Sequence, residues 1–314
     1  MSIQRPTPPT DPAQAPESDH VRAIAEGRRA SLAPAVAELM AGAIDMHVHA
    51  GPDPRVERRQ DWLELGRDAA AAGMRALVFK SHDYPTIPAA ALVNRLLAGV
   101  RALGSVTLDL EVGGLNPQAV EASARMGARV VWMPTLTSAH DRRKLGLPGA
   151  GVALCDGDGR LRLEVGEIIA LAKEHNLVLA TGHISAEETY ALVQAAQREG
   201  VWRLVATHAL LKRVGAGLSL AQQRELGERG VFIEQSFIGV MPAFYGYSVA
   251  ELAEAVRAVG PAQTVLSTDL GQYVNPPPVE GFRMMLAALL GAGVAAPDLA
   301  TMVKANPARL LGLE

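Results

Sequence analysis

The chain has 314 residues, 49% hydrophobic and 20% charged, with a net charge of −3. This balance excludes a mainly disordered, collagenous or coiled-coil chain. It also gives no overall basic field for nucleic acid or anionic lipid. One cysteine, Cys155, excludes a disulfide framework or a cysteine-based zinc site within one chain. Aromatics at 4% leave little to stack single-stranded bases on.

The first sixteen residues hold five prolines and no apolar stretch of the kind a secretory signal needs. Residues 1–18 are expected to be a disordered tail, and 19–314 a single domain. The longest apolar run, Met284–Ala296, is too short to span a bilayer. A cytoplasmic protein without membrane or nucleic-acid partners is expected, with self-association left open.

From Val21 to Ala41 the sequence predicts a helix interrupted around Pro34. Short aliphatic runs then alternate with Ala/Leu/Glu-rich stretches. The predicted strands are Ala43–His49, Ala76–His82, Ser105–Val112, Ala128–Thr135, Leu177–His183, Arg203–His208, Val231–Phe237 and Thr264–Leu270. Five follow a helix-ending glycine: Gly73, Gly104, Gly127, Gly200 and Gly230. Eight strands alternating with helices predict an α/β fold, the (β/α)8 TIM barrel. A β-hairpin around Asp156–Gly159 is expected as an insertion after strand four.

Active sites of such barrels lie at the C-terminal strand ends. Five of the eight histidines fall there: His47, His49, His82, His183 and His208. Asp269 ends strand eight. Strict alternation puts Asp45, His47 and His49 on one face of strand one, and Val78, Lys80 and His82 on one face of strand two. Two imidazoles at i, i+2 can bind one cation, and His183, His208 and Asp269 can close the site across the mouth. Nitrogen plus carboxylate ligation suits zinc first, with manganese, iron or nickel as further options.

Taken together, DMHVHAGPD (Asp45–Asp53), TGHIS (Thr181–Ser185), THA (Thr207–Ala209) and STDLGQ (Ser267–Gln272) resemble the amidohydrolase superfamily over residues 43–312. FKSHDYPT (Phe79–Thr86) and GGLNP (Gly113–Pro117) resemble, more narrowly, an uncharacterised amidohydrolase-like group. The resemblance implies a first divalent metal on His47, His49 and Asp269. His183 and His208 would hold a second metal, or one of them would join the first, so one or two ions per chain are implied. Strand four ends Met133-Pro134-Thr135, without the lysine or glutamate that usually bridges two metals. Lys80, carbamylated, or Glu111 are the available substitutes, and one metal is the simpler count.

The expected activity is hydrolysis of an amide, lactone or related carbonyl–heteroatom bond in a small molecule. Asp269 would act as general base, with His208 or His82 stabilising the oxyanion. Lys80 has three readings: an ion pair with Asp45 or Asp83, a carbamylated metal ligand, or a contact to an anionic substrate. Non-oxidative decarboxylation and non-catalytic metal or metabolite binding are the alternatives. Asp269 could instead cap the next helix. Arg55, Arg58 and Arg59 in loop one, and Arg142, Arg143 and Lys144 in loop four, could favour an anionic substrate if any points inward. Tyr84, Tyr245, Tyr247, Gln272 and Tyr273 are expected to line the mouth.

Overall fold

The computed structural model describes residues 32–314. The tail expected over 1–18, His20 and the first part of the helix expected from Val21 lie outside the described residues. A helix covers 32–40 and includes Pro34.

The strands are β1 (Ile44–Val48), β2 (Ala76–Phe79), β3 (Arg101–Leu103), β4 (Ser105–Thr107), β5 (Val130–Trp132), β6 (Val178–Ala180), β7 (Leu204–Ala206), β8 (Phe232–Ser236) and β9 (Thr264–Ser267). All pair in parallel, in the orders β1-β2-β3 and β4-β5-β6-β7-β8-β9. β3 and β4 are halves of one extended path broken at Gly104, which pairs first with β2 and then with β5. Thr86 bridges the break: its Oγ1 donates to the Phe79 carbonyl at 2.7 Å and accepts from the Ser105 amide at 2.9 Å. Between β9 and β1 the Asp269 amide donates to the His47 carbonyl and the His49 amide to the Leu270 carbonyl, each at 2.8 Å. With helices between successive strands, this is the (β/α)8 barrel expected from the alternation.

Polar caps turn the chain from strand to helix. Capping boxes start four helices, at Asp61/Glu64, Ser185/Glu188, Ser219/Gln222 and Ser248/Glu251. Ile44, Met46, Val78 and Trp132 fill the barrel interior together with Leu310 and Leu311 from the C-terminal helix. Val48, Leu77 and Phe79 pack outward in the layer that contains Trp62 and Leu65.

Strand one departs from strict alternation. Its register with β2 shifts by one residue between Asp45 and Val48. Val48 therefore lies in the outer layer while Met46, two residues earlier, lies in the inner one. The extra residue separates Asp45 from His47 and His49, correcting the expectation that all three share a face. Asp45 instead accepts from Thr268 Oγ1 at 2.6 Å and from the Thr268 and His47 amides, both at 3.1 Å.

Strand three is also shorter than expected. Leu110–Val112 forms a 3-10 turn, not the end of the strand. After β5, Ala139–Leu145 is a helix capped by Ser138, so the loop-four cations sit on a helix. The hairpin is present in small form, as one antiparallel bridge between Cys155 and Leu161. Among the described residues no helix is long and apolar enough to cross a membrane.

Gly104 is one of the positions where the fold tolerates no side chain. A Cβ there would overlap the Ile87 backbone at the start of the preceding helix, Ile87–Leu96. Gly104→Ala is expected to cost about 3 kcal/mol or more, because backbone on both sides must shift. A denaturant midpoint unchanged from wild type would contradict that packing.

Candidate active site

Seven side chains meet where the C-terminal ends of the strands converge. His47 Nε2 and His49 Nε2 each lie 3.1 Å from Asp269 Oδ1. These three are buried, and one potential ligand atom from each lies within 4.8 Å of the others. Lys80 Nζ is 2.9 Å from His47 Nε2 and 4.7 Å above the Trp132 ring. His183 Nε2 and His208 Nε2 face each other at 2.9 Å. His82 stacks on His49 with ring centroids 5.0 Å apart.

Carboxylates behind the imidazoles set their orientation. Glu234 Oε1 takes His47 Nδ1 at 2.9 Å and Ser267 Oγ at 2.5 Å, while Oε2 takes the His208 amide at 2.9 Å. Asp141 Oδ2 takes His183 Nδ1 at 2.6 Å and its other oxygen takes the Gly215 amide at 2.8 Å. In both cases the distal nitrogen is tied to an anion and Nε2 is turned to the site, the arrangement that prepares an imidazole for metal. Asp109 is buried, held by Thr135 and Thr137, and lies near His82, whose Nδ1 is 2.7 Å from Thr135 Oγ1.

The charge states follow from burial and neighbours. Burial raises the Asp269 pKa, but His47 and His49 outweigh it and hold the carboxyl well below its ordinary range. Burial also opposes the His47 imidazolium, yet Asp269 and Glu234 together raise its pKa despite Lys80. Glu234 stays an anion with a pKa of about 2, because His47, His208 and Ser267 overcome its burial. Burial pushes His82 down to about 4 and His208 down to about 3. Burial likewise lowers Lys80, against the attraction of Asp269, Glu234 and Asp109. Asp269 is thus a buried anion that demands a cation beside it. Two imidazoles and a carboxylate form a donor set suited to a divalent metal, so the residues present fit one.

The backbone is bent to achieve this. His208 and Asp269 have φ of 26° and 54°, a region non-glycine residues seldom occupy. Gly271 passes so close to the His49 carbonyl that a Cβ would overlap it.

A cavity of about 450 Å³ opens above the cluster. Lys80, His82, His183, His208, His49 and Asp269 form its floor, and Arg58 and Gln272 also face it. Several expectations are corrected. Glu111 lies in the 3-10 turn, paired with Arg55 and outside the His47–His49–Asp269 group. Asp83 pairs with Arg55 at 2.6 Å and Asp45 with Thr268, so neither is the ion-pair partner of Lys80. Arg59 donates to the Asn275 carbonyl, and Lys144 and His140 approach the Gly215 carbonyl. Tyr247 is buried on the Ser236 carbonyl, and Tyr84 donates to the Pro52 carbonyl. Of the five residues expected to line the mouth, only Gln272 faces the cavity. Asp269 is not a helix cap, since the next helix starts at Pro278.

Glu234 and Asp141 were not among the sequence candidates. Glu234 stood out only as a lone carboxylate in the apolar run VFIEQSF, and Asp141 was hidden in the charged stretch His140–Lys144.

Residues 42–234 match the profile of a family of unknown function (DUF6282), and the chain belongs to that family. No curated protein matches. Among solved structures, an amidohydrolase from Pseudomonas aeruginosa is similar at a TM-score of 0.63 and 15% identity, over 88% of this chain and 98% of that one. A probable dipeptidase, PvdM, from the same organism gives 0.64 and 12%, over 90% and 98%. A mutant organophosphorus hydrolase from Deinococcus radiodurans gives 0.55 and 17%, over 88% and 94%. At these identities the likeness is one of fold.

Two outcomes test the site. Glu234→Gln can present only one carbonyl oxygen where three donors converge, so an amide N–H must face another donor. Metal affinity should fall about 10- to 100-fold with the fold retained; unchanged affinity by competition with a chelating dye would contradict this orienting role. His82 supplies a pH test on metal-free protein. Its folded pKa of about 4 lies below the unfolded value of 6.5, so the unfolded state takes up the proton first as pH falls. Wild type should lose up to about 3 kcal/mol from this group between pH 6.5 and 4. His82→Gln should show a shallower decline over that window, and parallel stability curves would contradict the assignment.

Proposed function

We propose that this protein is a metal-dependent hydrolase of an amide, lactone or related carbonyl–heteroatom bond in a small molecule. The observation that carries the reading is the buried His47–His49–Asp269 group at the C-terminal end of the barrel, with His49 and Asp269 on the floor of the cavity. The fold shared with hydrolases supports it by analogy. His47, His49 and Asp269 would hold one divalent ion, zinc first by donor type. Such an ion lowers the pKa of water towards ~7 and polarises a carbonyl oxygen.

The protein's own groups complete the chemistry. Asp269 remains ionised and faces the cavity, so it can take a proton from water and return it to the leaving group. His82 and His208 lie on the cavity floor, but each neutral ring already directs its one N–H at Thr135 Oγ1 or His183 Nε2, which leaves Lys80 as the donor for a developing oxyanion. Trp132 packs beneath His47 and Lys80, so the floor is closed from below. Lys80 adds a buried positive charge without a carboxylate within ion-pair distance among the described residues, a place suited to a developing negative charge.

Non-oxidative decarboxylation is the second reading. The observation favouring it is that a three-residue ligand group occurs only once among the described residues, as a single-metal reaction would need. Product analysis separates the two readings: hydrolysis yields an acid and an amine or alcohol, decarboxylation yields carbon dioxide.

Asp269→Asn gives the sharpest test. Asn tolerates the left-handed backbone that Asp269 adopts, and it keeps one oxygen for metal. Turnover on metal-loaded protein should drop about two or more orders of magnitude while the fold and some metal persist. Turnover per folded molecule equal to wild type would remove Asp269 from the mechanism.

A further inference from the structure

The cavity is divided by chemistry. Away from its floor it is walled by Val56, Leu136, Leu211, Ile238, Phe244 and Val274. Its charged lining is unequal: among the described residues Arg58, Lys80 and Arg213 face it, against a single carboxylate, Asp269. The excess is positive before any metal is counted.

Arg58 is the most distinctive of these groups. Its side chain is only 3% exposed. Nε and Nη2 donate to Asp53 Oδ2 at 2.9 and 2.6 Å, which uses one edge of the guanidinium. Nη2 also lies 3.5 Å from His49 Nδ1, so the group abuts the ligand cluster. Nη1 is buried and has no hydrogen-bond partner among the described residues. A buried donor without an acceptor is costly, and a planar guanidinium with a spare edge matches a carboxylate.

We propose that the substrate is a small carboxylate with an apolar body, its carboxylate received by Arg58 beside the ligand group and its body against the aliphatic wall. Asp53 holds the guanidinium in place, so its orientation is set before a ligand arrives. The placement of the scissile carbonyl next to that carboxylate rests on the hydrolase reading. The anion site itself is a matter of binding and can be measured without turnover.

Calorimetric titration of the full-length, zinc-loaded protein with octanoate, octanamide and acetate tests this. Octanoate should bind about tenfold or more tighter than octanamide, which lacks the charge, and than acetate, which lacks the body. Arg58→Lys keeps a cation for Asp53 but loses the planar fork, and should weaken octanoate about tenfold while leaving octanamide unchanged. Asp53→Asn/Arg58→Gln removes the pair together, and should show the same loss should the lysine variant fold poorly. Equal binding of octanoate and octanamide to wild type overturns the proposal. So does octanoate binding that survives both variants, since the carboxylate would then be held by metal alone. Carboxylate binding without turnover of any amide or lactone would sink the hydrolase reading and leave this site standing. Turnover of neutral substrates with no carboxylate preference would do the reverse.

Discussion

The Asp269 carboxylate is the group on which the arrangement of this site depends. It is buried at the barrel mouth and remains ionised, which requires positive or proton-donating groups on every side. His47 and His49 supply contacts at 3.1 Å, and Lys80 approaches from the second strand through His47. Adding cationic groups brings their own desolvation cost, so further anions are needed behind them. Glu234 answers His47, Asp141 answers His183, and Asp53 answers Arg58. The polar cluster is therefore layered: one anion facing the cavity, a ring of nitrogens, and a ring of carboxylates outside it. Removing an outer carboxylate disturbs the inner ring without touching a substrate.

Such layering demands a backbone that regular strands do not provide. A strictly alternating first strand would turn only every second residue inward. The one-residue shift between Asp45 and Val48 lets Met46 fill the interior while His47 still reaches Trp132, at a ring separation of 4.7 Å. At β9 the left-handed turn at Asp269 and the close passage of Gly271 by His49 join the last strand to the first. Sparsely populated backbone states persist where surrounding contacts over-determine them, and here they coincide with the proposed ligands. The same strain explains why glycine, with no Cβ, stands next to the ligand loop.

This structure also explains what was legible in the sequence. Alternation of short apolar runs with helix-forming stretches marked all eight strand positions, because parallel strands buried on both faces are nearly uniformly apolar. Histidines at the ends of such runs were conspicuous for the same reason. Other features were concealed. The bulge in β1 leaves no compositional trace, so parity misplaced Asp45. Gly104 read as a helix terminator before a strand, whereas it interrupts a strand whose first half, Arg101–Leu103, was missed. Glu234 could have been found by asking why a carboxylate sits alone in an apolar strand, a position that is costly unless paired. Asp141 had no comparable signal, because its neighbours Arg142, Arg143 and Lys144 give it the look of solvated surface.

On the proposed reading, the cavity places chemistry and selectivity on different parts of the chain. The floor comes from residues at or just beyond strand ends, held by backbone bonds that continue the barrel. Much of the wall comes from later loops: Leu211 and Val214 follow β7, Ile238, Ala243 and Phe244 follow β8, and Gln272 and Val274 follow β9. Loop positions can change without moving the floor, because the ladder hydrogen bonds lie below them. Similarity to an amidohydrolase, a probable dipeptidase and an organophosphorus hydrolase is a likeness of the barrel and says nothing of the wall. Arg58 spans the division. It belongs to the loop after β1, yet it reaches His49 and keeps one nitrogen, Nη1, without a partner among the described residues. A residue in that position couples recognition to reaction geometry, since anything it binds is placed beside the group that would hold the metal.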